Sequence, residues 1–209
     1  MENLTDRVNN LVETCWESFS AKVGGGIIQI NKEASLQLNF AYVLRTAADL
    51  IIHHLDEKIT IELETGILIK RRLRECDIII KMEKGEQVLR IPIEMKCYKT
   101  RTATGSLRGA QDLFRYGIYE DLQLLENYQD ETTLSGYQLT MTDYRAFIFP
   151  NKKDGKSWGF DTSHQTVINE NFSLEIGIGG KLVSILLKNK YTFDWKQVGD
   201  FYFLKLKGI

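Results

Sequence analysis

The sequence predicts an α/β fold, and three observations carry that prediction. Residues 32–55 place apolar side chains at helical spacing, three strand signals follow in close succession, and a further helical segment over 107–127 leads into one more strand. The order helix, three strands, helix, strand defines a core over residues 27–150. An amphipathic helix and glycine linker over 1–26 precede it, and a β-rich extension over 151–209, packed on that core, follows it. A chain of 209 residues suits one domain with an elaborated edge.

Each element has its own signal. Leu4, Val8, Leu11, Val12, Cys15, Trp16 and Phe19 recur at helical spacing until Gly24, Gly25 and Gly26 break the pattern, which makes the first helix a packing element or a dimer arm. The second helix carries its apolar stripe on Leu36, Phe40, Val43, Leu44, Ala47, Ala48, Ile51 and Leu55, with Glu33 in its first turn. Strands are expected over 59–63, 74–82 and 87–96, the last two joined around Lys84-Gly85. After the loop TRTATGS and the third helix, DYRAFIFP (143–150) reads as a strand ended by Pro150. FSLEIGI, KLVSILL, YTFDW and FYFLKL then alternate with turn residues.

Composition narrows the class. Hydrophobic residues at 43% and charged residues at 26% belong to a folded chain rather than a disordered one. Twenty-seven Lys and Arg against twenty-eight Asp and Glu leave a formal charge of −1, so any basic surface is local. No apolar run approaches the ~20 residues of a membrane span, and MENLTDRVNN has neither the basic nor the apolar region of a signal peptide, which points to a cytoplasmic protein with no membrane partner. Cys15, Cys76 and Cys97 lack CxxC spacing and suit reduced thiols rather than a disulfide frame or a structural zinc site.

The stretch RIPIEMKCYKT departs from a plain buried strand. Residues two apart share a face, so Glu94 and Lys96 point together while Ile91, Ile93 and Met95 point the other way. A turn at Lys84-Gly85 sets Asp77 against Pro92, on the face of Glu94 and Lys96, and a register shift by two keeps that result. Two carboxylates entering apolar strands repel and raise each other's pKa unless a cation lies between them. Oxygen ligation by two carboxylates and waters suits Mg²⁺ or Mn²⁺, with the Met95 carbonyl as a further ligand. A lysine beside a metal-bound water can orient or deprotonate it for in-line attack on a phosphodiester.

Asp77 followed by Glu94-Met95-Lys96 on the next strand, within an αβββαβ order over about residues 32–150, resembles the PD-(D/E)xK nuclease superfamily. Cys76 stands where the motif has its proline. The resemblance implies a restriction-endonuclease-like core, a mixed central sheet flanked by helices, and a metal-dependent endonuclease of a restriction, defence or repair setting. It implies Asp77 and Glu94 as metal ligands, Lys96 as the residue that handles water, and Glu33 as an accessory acid. Gln111 and Tyr116 are similar to the Gln/Tyr pair of RecB-like branches, one residue off the usual spacing. DNA and a homodimer are the implied partners. The other reading of the same fold is a catalytically silent DNA-binding or protein-interaction module. An unrelated α/β protein would instead leave the three polar side chains exposed and apart.

Around this constellation, Lys99, Arg101 and Arg108 flank a loop containing Thr102 and Thr104, whose hydroxyls and amides suit phosphate oxygens; the same composition also suits a solvated connection. Lys70, Arg71, Arg72 and Arg74 form a second basic run leading into the Asp77 strand. Two DxK triplets, at Asp154 and Asp194, lie in a turn-like segment and too late in the chain. Glu33 also suits the helix dipole, and His53 and His54 suit a helix end.

Overall fold

The computed structural model describes residues 2–69, 72–102 and 104–207. Lys70 and Arg71 of the second basic run lie outside them. Helices α1 (Glu2–Gly24) and α2 (Glu33–Ala48) come first, followed by a short 3-10 turn, Asp49–Ile51. Strands β1 (Glu57–Ile69), β2 (Arg72–Lys84) and β3 (Gln87–Tyr98), helix α3 (Gln111–Tyr128) and strand β4 (Tyr137–Thr142) complete the helix, three strands, helix, strand order. The remainder holds β5 (Val167–Ile168), β6 (Phe172–Ile178), β7 (Lys181–Leu187), β8 (Tyr191–Thr192), β9 (Lys196–Val198) and β10 (Phe201–Lys207).

One mixed six-stranded sheet, in the order β1-β2-β3-β4-β10-β9, organises the molecule; β3 and β4 run parallel and the other neighbours antiparallel. Alternation sorts its side chains. Ile78, Ile80, Met82, Ile91, Ile93, Met95, Leu139, Met141 and Phe203 pack with the apolar stripes of α1 and α2 on one face. Tyr98, Tyr202, Leu204 and Leu206 pack on the other with Phe114, Ile118 and Leu122 of α3. All seven stripe residues of α1 are buried, which makes this helix a packing element. Residues 201–207 insert β10 beside β4, so the segment after residue 150 contributes to the main sheet.

Several boundaries differ from the sequence reading, among them β1, which runs Glu57–Ile69 against the 59–63 expected. The strand expected over 143–150 is found at Tyr137–Thr142, whereas Arg145–Phe147 forms a 3-10 turn that buries Phe147 and Ile148 beneath α3. Helix α2 stops at Ala48 and Leu55 is fully exposed, because the backbone N–H groups of His53 and His54 turn to the Glu57 carboxylate, at 3.0 and 3.3 Å. Helix α3 begins at Gln111 because Ala110, at φ 59, cannot continue a helix backwards.

No helix among the described residues is long and apolar enough to cross a membrane.

Glu57 pins the N-terminal half together. Its covered side chain takes Arg7 of α1 at 2.7 Å and Lys84 of β2 at 3.1 Å as well as the two backbone donors, and these contacts hold its pKa far below the usual carboxylate range. A depressed folded pKa contributes stability above the unfolded value of about 4.3 and loses it as pH falls. Glu57→Gln is expected to melt at a lower temperature than wild type at neutral pH. The gap should narrow progressively below about pH 4, as read by thermal unfolding across that range.

Candidate functional site

The site forms where two strands stop pairing. The β2–β3 ladder ends at Ile78 opposite Ile93, although β2 reaches back to Arg72 and β3 continues to Tyr98. The turn is Gly85-Glu86 rather than Lys84-Gly85, so Ile79, not Asp77, stands opposite Pro92; the register differs by two and its parity is unchanged. Asp77 therefore lies level with Glu94, at the point of parting.

Backbone donors freed on β3 must find other acceptors. The Met95 N–H donates to Asp77 Oδ2 at 2.6 Å, and the Cys97 N–H donates to Glu33 Oε2 at 3.2 Å. Side-chain carboxylates take the place of the strand. Gln37, four residues after Glu33 and so on the same face of α2, donates from Nε2 to the Asp77 carbonyl at 2.7 Å. The Cys76 thiol bridges to the carbonyls of Ile78 and Ile93 at 3.3 and 3.5 Å.

Glu94 and Lys96 face α3. The Tyr128 hydroxyl donates to Glu94 Oε1 at 2.8 Å, and Lys96 Nζ lies 3.1 Å from Asp121 Oδ2 and 3.7 Å from Glu33 Oε1. The Asp121 contact is an ion pair without hydrogen-bond geometry, since Oδ2 has no hydrogen-bond partner among the described residues. Gly117 lets the helix approach: a Cβ there would stand 3.1 Å from Lys96 Cε. The parallel neighbour β4 sets Gln138 beside Glu94 and Thr140 beside Lys96, both fully buried and hydrogen-bonded to each other.

Burial and crowding set the charges. Burial raises the Glu94 pKa well above the carboxylate range, and the charges of Asp121 and Asp77 add to the rise against the opposing effects of Tyr128 and Lys96. Asp121 is raised chiefly by burial, partly offset by Lys96. Asp77 is also raised by burial, which outweighs the Lys96 charge and the Met95 N–H. For Lys96, burial opposes the ammonium, but Asp121, Glu33, Asp77 and Glu94 together outweigh it and hold the lysine firmly protonated.

Asp77, Glu94, Lys96 and Glu33 are thus brought to one place, and only Glu33 is substantially open to solvent. Asp121, Gln37, Tyr128, Gly117, Gln138 and Thr140 belong to the same place and were not picked out in the sequence. The flanking residues are more scattered. Lys99 is turned to Asp143 at 3.8 Å and over the Phe201 ring. Arg101 donates to the Gly105 carbonyl and Arg108 to the Asn31 carbonyl just before α2, while the Thr102 and Thr104 hydroxyls bond each other. Gln111 reaches the Tyr98 hydroxyl at the rim, whereas Tyr116 bonds Glu120 and packs on Phe160.

Among the described residues no three His, Cys, Asp or Glu side chains form a metal-holding group. The donor set on offer is two carboxylates and the Met95 carbonyl. Each carboxylate keeps an oxygen with no protein hydrogen bond among the described residues, Asp77 Oδ1 and Glu94 Oε2. Hard oxygen donors with raised pKa values fit a small dication that retains several waters.

The sign of the pH effect follows from the raised Glu94 pKa: the unfolded chain releases this proton first, so stability falls as pH rises above about 4.3. Without divalent metal, Glu94→Gln is expected to gain melting temperature relative to wild type as pH is raised from about 5 to 8. Mn²⁺ should recover that loss in wild type but not in the variant, as read by thermal melts. No family model matches the chain, and comparison with the curated proteins and with the solved structures gave no match.

Proposed function

We propose that the chain is a metal-dependent deoxyribonuclease that hydrolyses DNA phosphodiester bonds on a PD-(D/E)xK, restriction-endonuclease-like core. The observation that carries this reading is the meeting of Asp77, Glu94 and Lys96 where β2 and β3 part, in a core ordered α2, β1, β2, β3, α3, β4. Polar groups set among apolar strands destabilise a fold and persist where chemistry uses them. The condition that would favour an unrelated fold, three exposed and separate side chains, is not met.

In this reading Asp77, Glu94 and the Met95 carbonyl would hold Mg²⁺ or Mn²⁺. The dication would supply positive charge at the phosphate oxygens and acidify a bound water. Lys96, held protonated, donates rather than accepts: it orients the attacking water and stabilises charge on the phosphate. Glu33 is the accessory acid at the open side of the site. Tyr128 orients Glu94, and Asp121 and Gly117 position Lys96 from behind. A duplex cut on both strands calls for two copies, so a homodimer belongs to the proposal.

The silent module has one observation in its favour, the ion pair that already neutralises Lys96 with Asp121. Incubating supercoiled, linear and single-stranded DNA with Mg²⁺ or Mn²⁺ separates the readings. Wild type is expected to cut, chelator to stop it, and Lys96→Ala to lose at least about 100-fold in rate. Because removing one partner of a buried pair costs about 3 kcal/mol or more, Lys96→Arg, which keeps the charge, serves as the folded control and should also cut slowly. Absence of cutting by folded wild type on every substrate would transfer the assignment to the module.

A further inference from the structure

We infer that two copies of the chain join edge to edge through β1, antiparallel about a two-fold axis at Ile61, so that their sheets become one. That the partner is a second copy rests on the nuclease reading, which calls for two sites; the surface and its register come from the strand itself.

β1 is the outer strand of the six-stranded sheet and is 13 residues long, whereas the strand at the opposite edge, β9, has three. A long edge offers a row of backbone N–H and C=O groups to another chain, and proteins ordinarily shorten or cover it. Among the described residues, 58–69 make one hydrogen bond outside the ladder with β2, from the Thr65 hydroxyl to the Leu63 carbonyl at 3.4 Å. The regular part of the strand ends at Glu64, which has φ 47 and sits at the step the ladder skips, between Leu63 opposite Ile78 and Thr65 opposite Cys76.

The sequence of β1 restricts how it can pair with itself. In an antiparallel pair, residues directly opposite either both turn their N–H and C=O into the seam or both turn them away, and the two states alternate along a strand. A strand therefore pairs with its own copy only when opposite residues are both odd or both even, which puts the two-fold axis on a residue. Axes at Glu62, Leu63 or Glu64 set carboxylates against carboxylates. An axis at Thr60 sets Leu63 against Glu57, whose covered carboxylate is already committed to Arg7 and Lys84. At Ile61 the pairs match: Lys58 meets Glu64 and Ile59 meets Leu63 on both sides of the axis, and Ile61 meets itself. Parallel pairing about a two-fold axis would line up like charges throughout.

The side chains suit these partners. Ile59, Ile61 and Leu63 lie opposite Met82, Ile80 and Ile78, on the face packed with α1 and α2, and Leu63 is still 42% exposed. The pairing continues that core from one copy into the next. The Lys58 side chain is 69% exposed and shares Glu83 with Lys81, which makes Lys58 a surplus cation. Glu64 is exposed and has no ion pair among the described residues. It stands level with Asp77, and its charge reaches that carboxyl. The partner's Lys58 therefore stands at the rim of the candidate site, and each site gains a cation from the other copy.

The test is the mass of the full chain in solution, by light scattering after gel filtration over a concentration series. Cleavage of plasmid DNA with Mn²⁺ is followed in parallel, and melts confirm folding. Wild type is expected at twice the mass of one chain. Lys58→Glu puts like charges together at both ends of the seam and is expected to raise the dissociation constant of the dimer at least about tenfold, because the symmetry counts each changed pair twice. Glu64→Lys should do the same, and Lys58→Glu/Glu64→Lys, which restores opposite signs, should return the wild-type constant. A monomeric wild type, or a dimer indifferent to both single variants, overturns the edge pairing; if that protein still cuts DNA, the nuclease reading stands. Rescue of Lys58→Glu by Glu62→Lys instead of Glu64→Lys overturns the axis at Ile61. A dimer that follows the charge swap yet cuts no DNA keeps the pairing and removes the nuclease reading.

Discussion

Two backbone hydrogen bonds organise the site. Where β2 leaves β3, the N–H groups of Met95 and Cys97 would face an empty edge, and the carboxylates of Asp77 and Glu33 accept them instead. A sheet can open in its interior only if such donors are satisfied. The same two side chains that close the backbone account also bring negative charge to the opening. Structure and candidate chemistry therefore share atoms: Asp77 is a stand-in strand and, in the proposed reading, also a metal ligand, and Gln37 fixes its backbone from α2.

Charge balance is the second constraint. Glu33, Asp77, Glu94 and Asp121 surround one ammonium, that of Lys96. With every acid ionised the group would be strongly anionic inside a poorly solvated fold, and the buried members are accordingly weaker acids than free carboxylates, their pKa values raised chiefly by burial. In the proposed reading a proton and a dication would compete for the same oxygens, which would couple metal loading to proton release. The polar floor of Gln138 and Thr140 adds dipoles without adding charge.

Much of this was legible in the sequence, for identifiable reasons. The α1 stripe was readable because one face is entirely apolar, and the pairing of Glu94 with Lys96 follows from strand parity alone. Asp77 joined them despite a register misplaced by two, because parity survives such a shift. The strand β4 was missed although Tyr137, Leu139 and Met141 alternate with Gln138, Thr140 and Thr142; the aromatic run after it looked more strand-like and instead folds into a 3-10 turn. Asp121 and Gly117 looked like ordinary positions of an amphipathic helix, and only the helix's rotation against β3 gives them a role. Gln37 is invisible in sequence because its partner is a backbone carbonyl.

The place of β10 has a consequence for how the molecule is made. It lies between β4 and β9, so β4, the strand supporting Glu94 and Lys96 from the far side, gains its second neighbour only when residues 201–207 arrive. Sequence separations of more than sixty residues, such as Tyr137 with Lys207, must be closed before the sheet is whole. Long-range pairing of this kind is intrinsically slow. During synthesis the edge of β4 stays uncovered until nearly the whole described chain has been translated, and a shortened product would present that edge to other chains. The fold thus matures late, and the site's rigid backing matures with it.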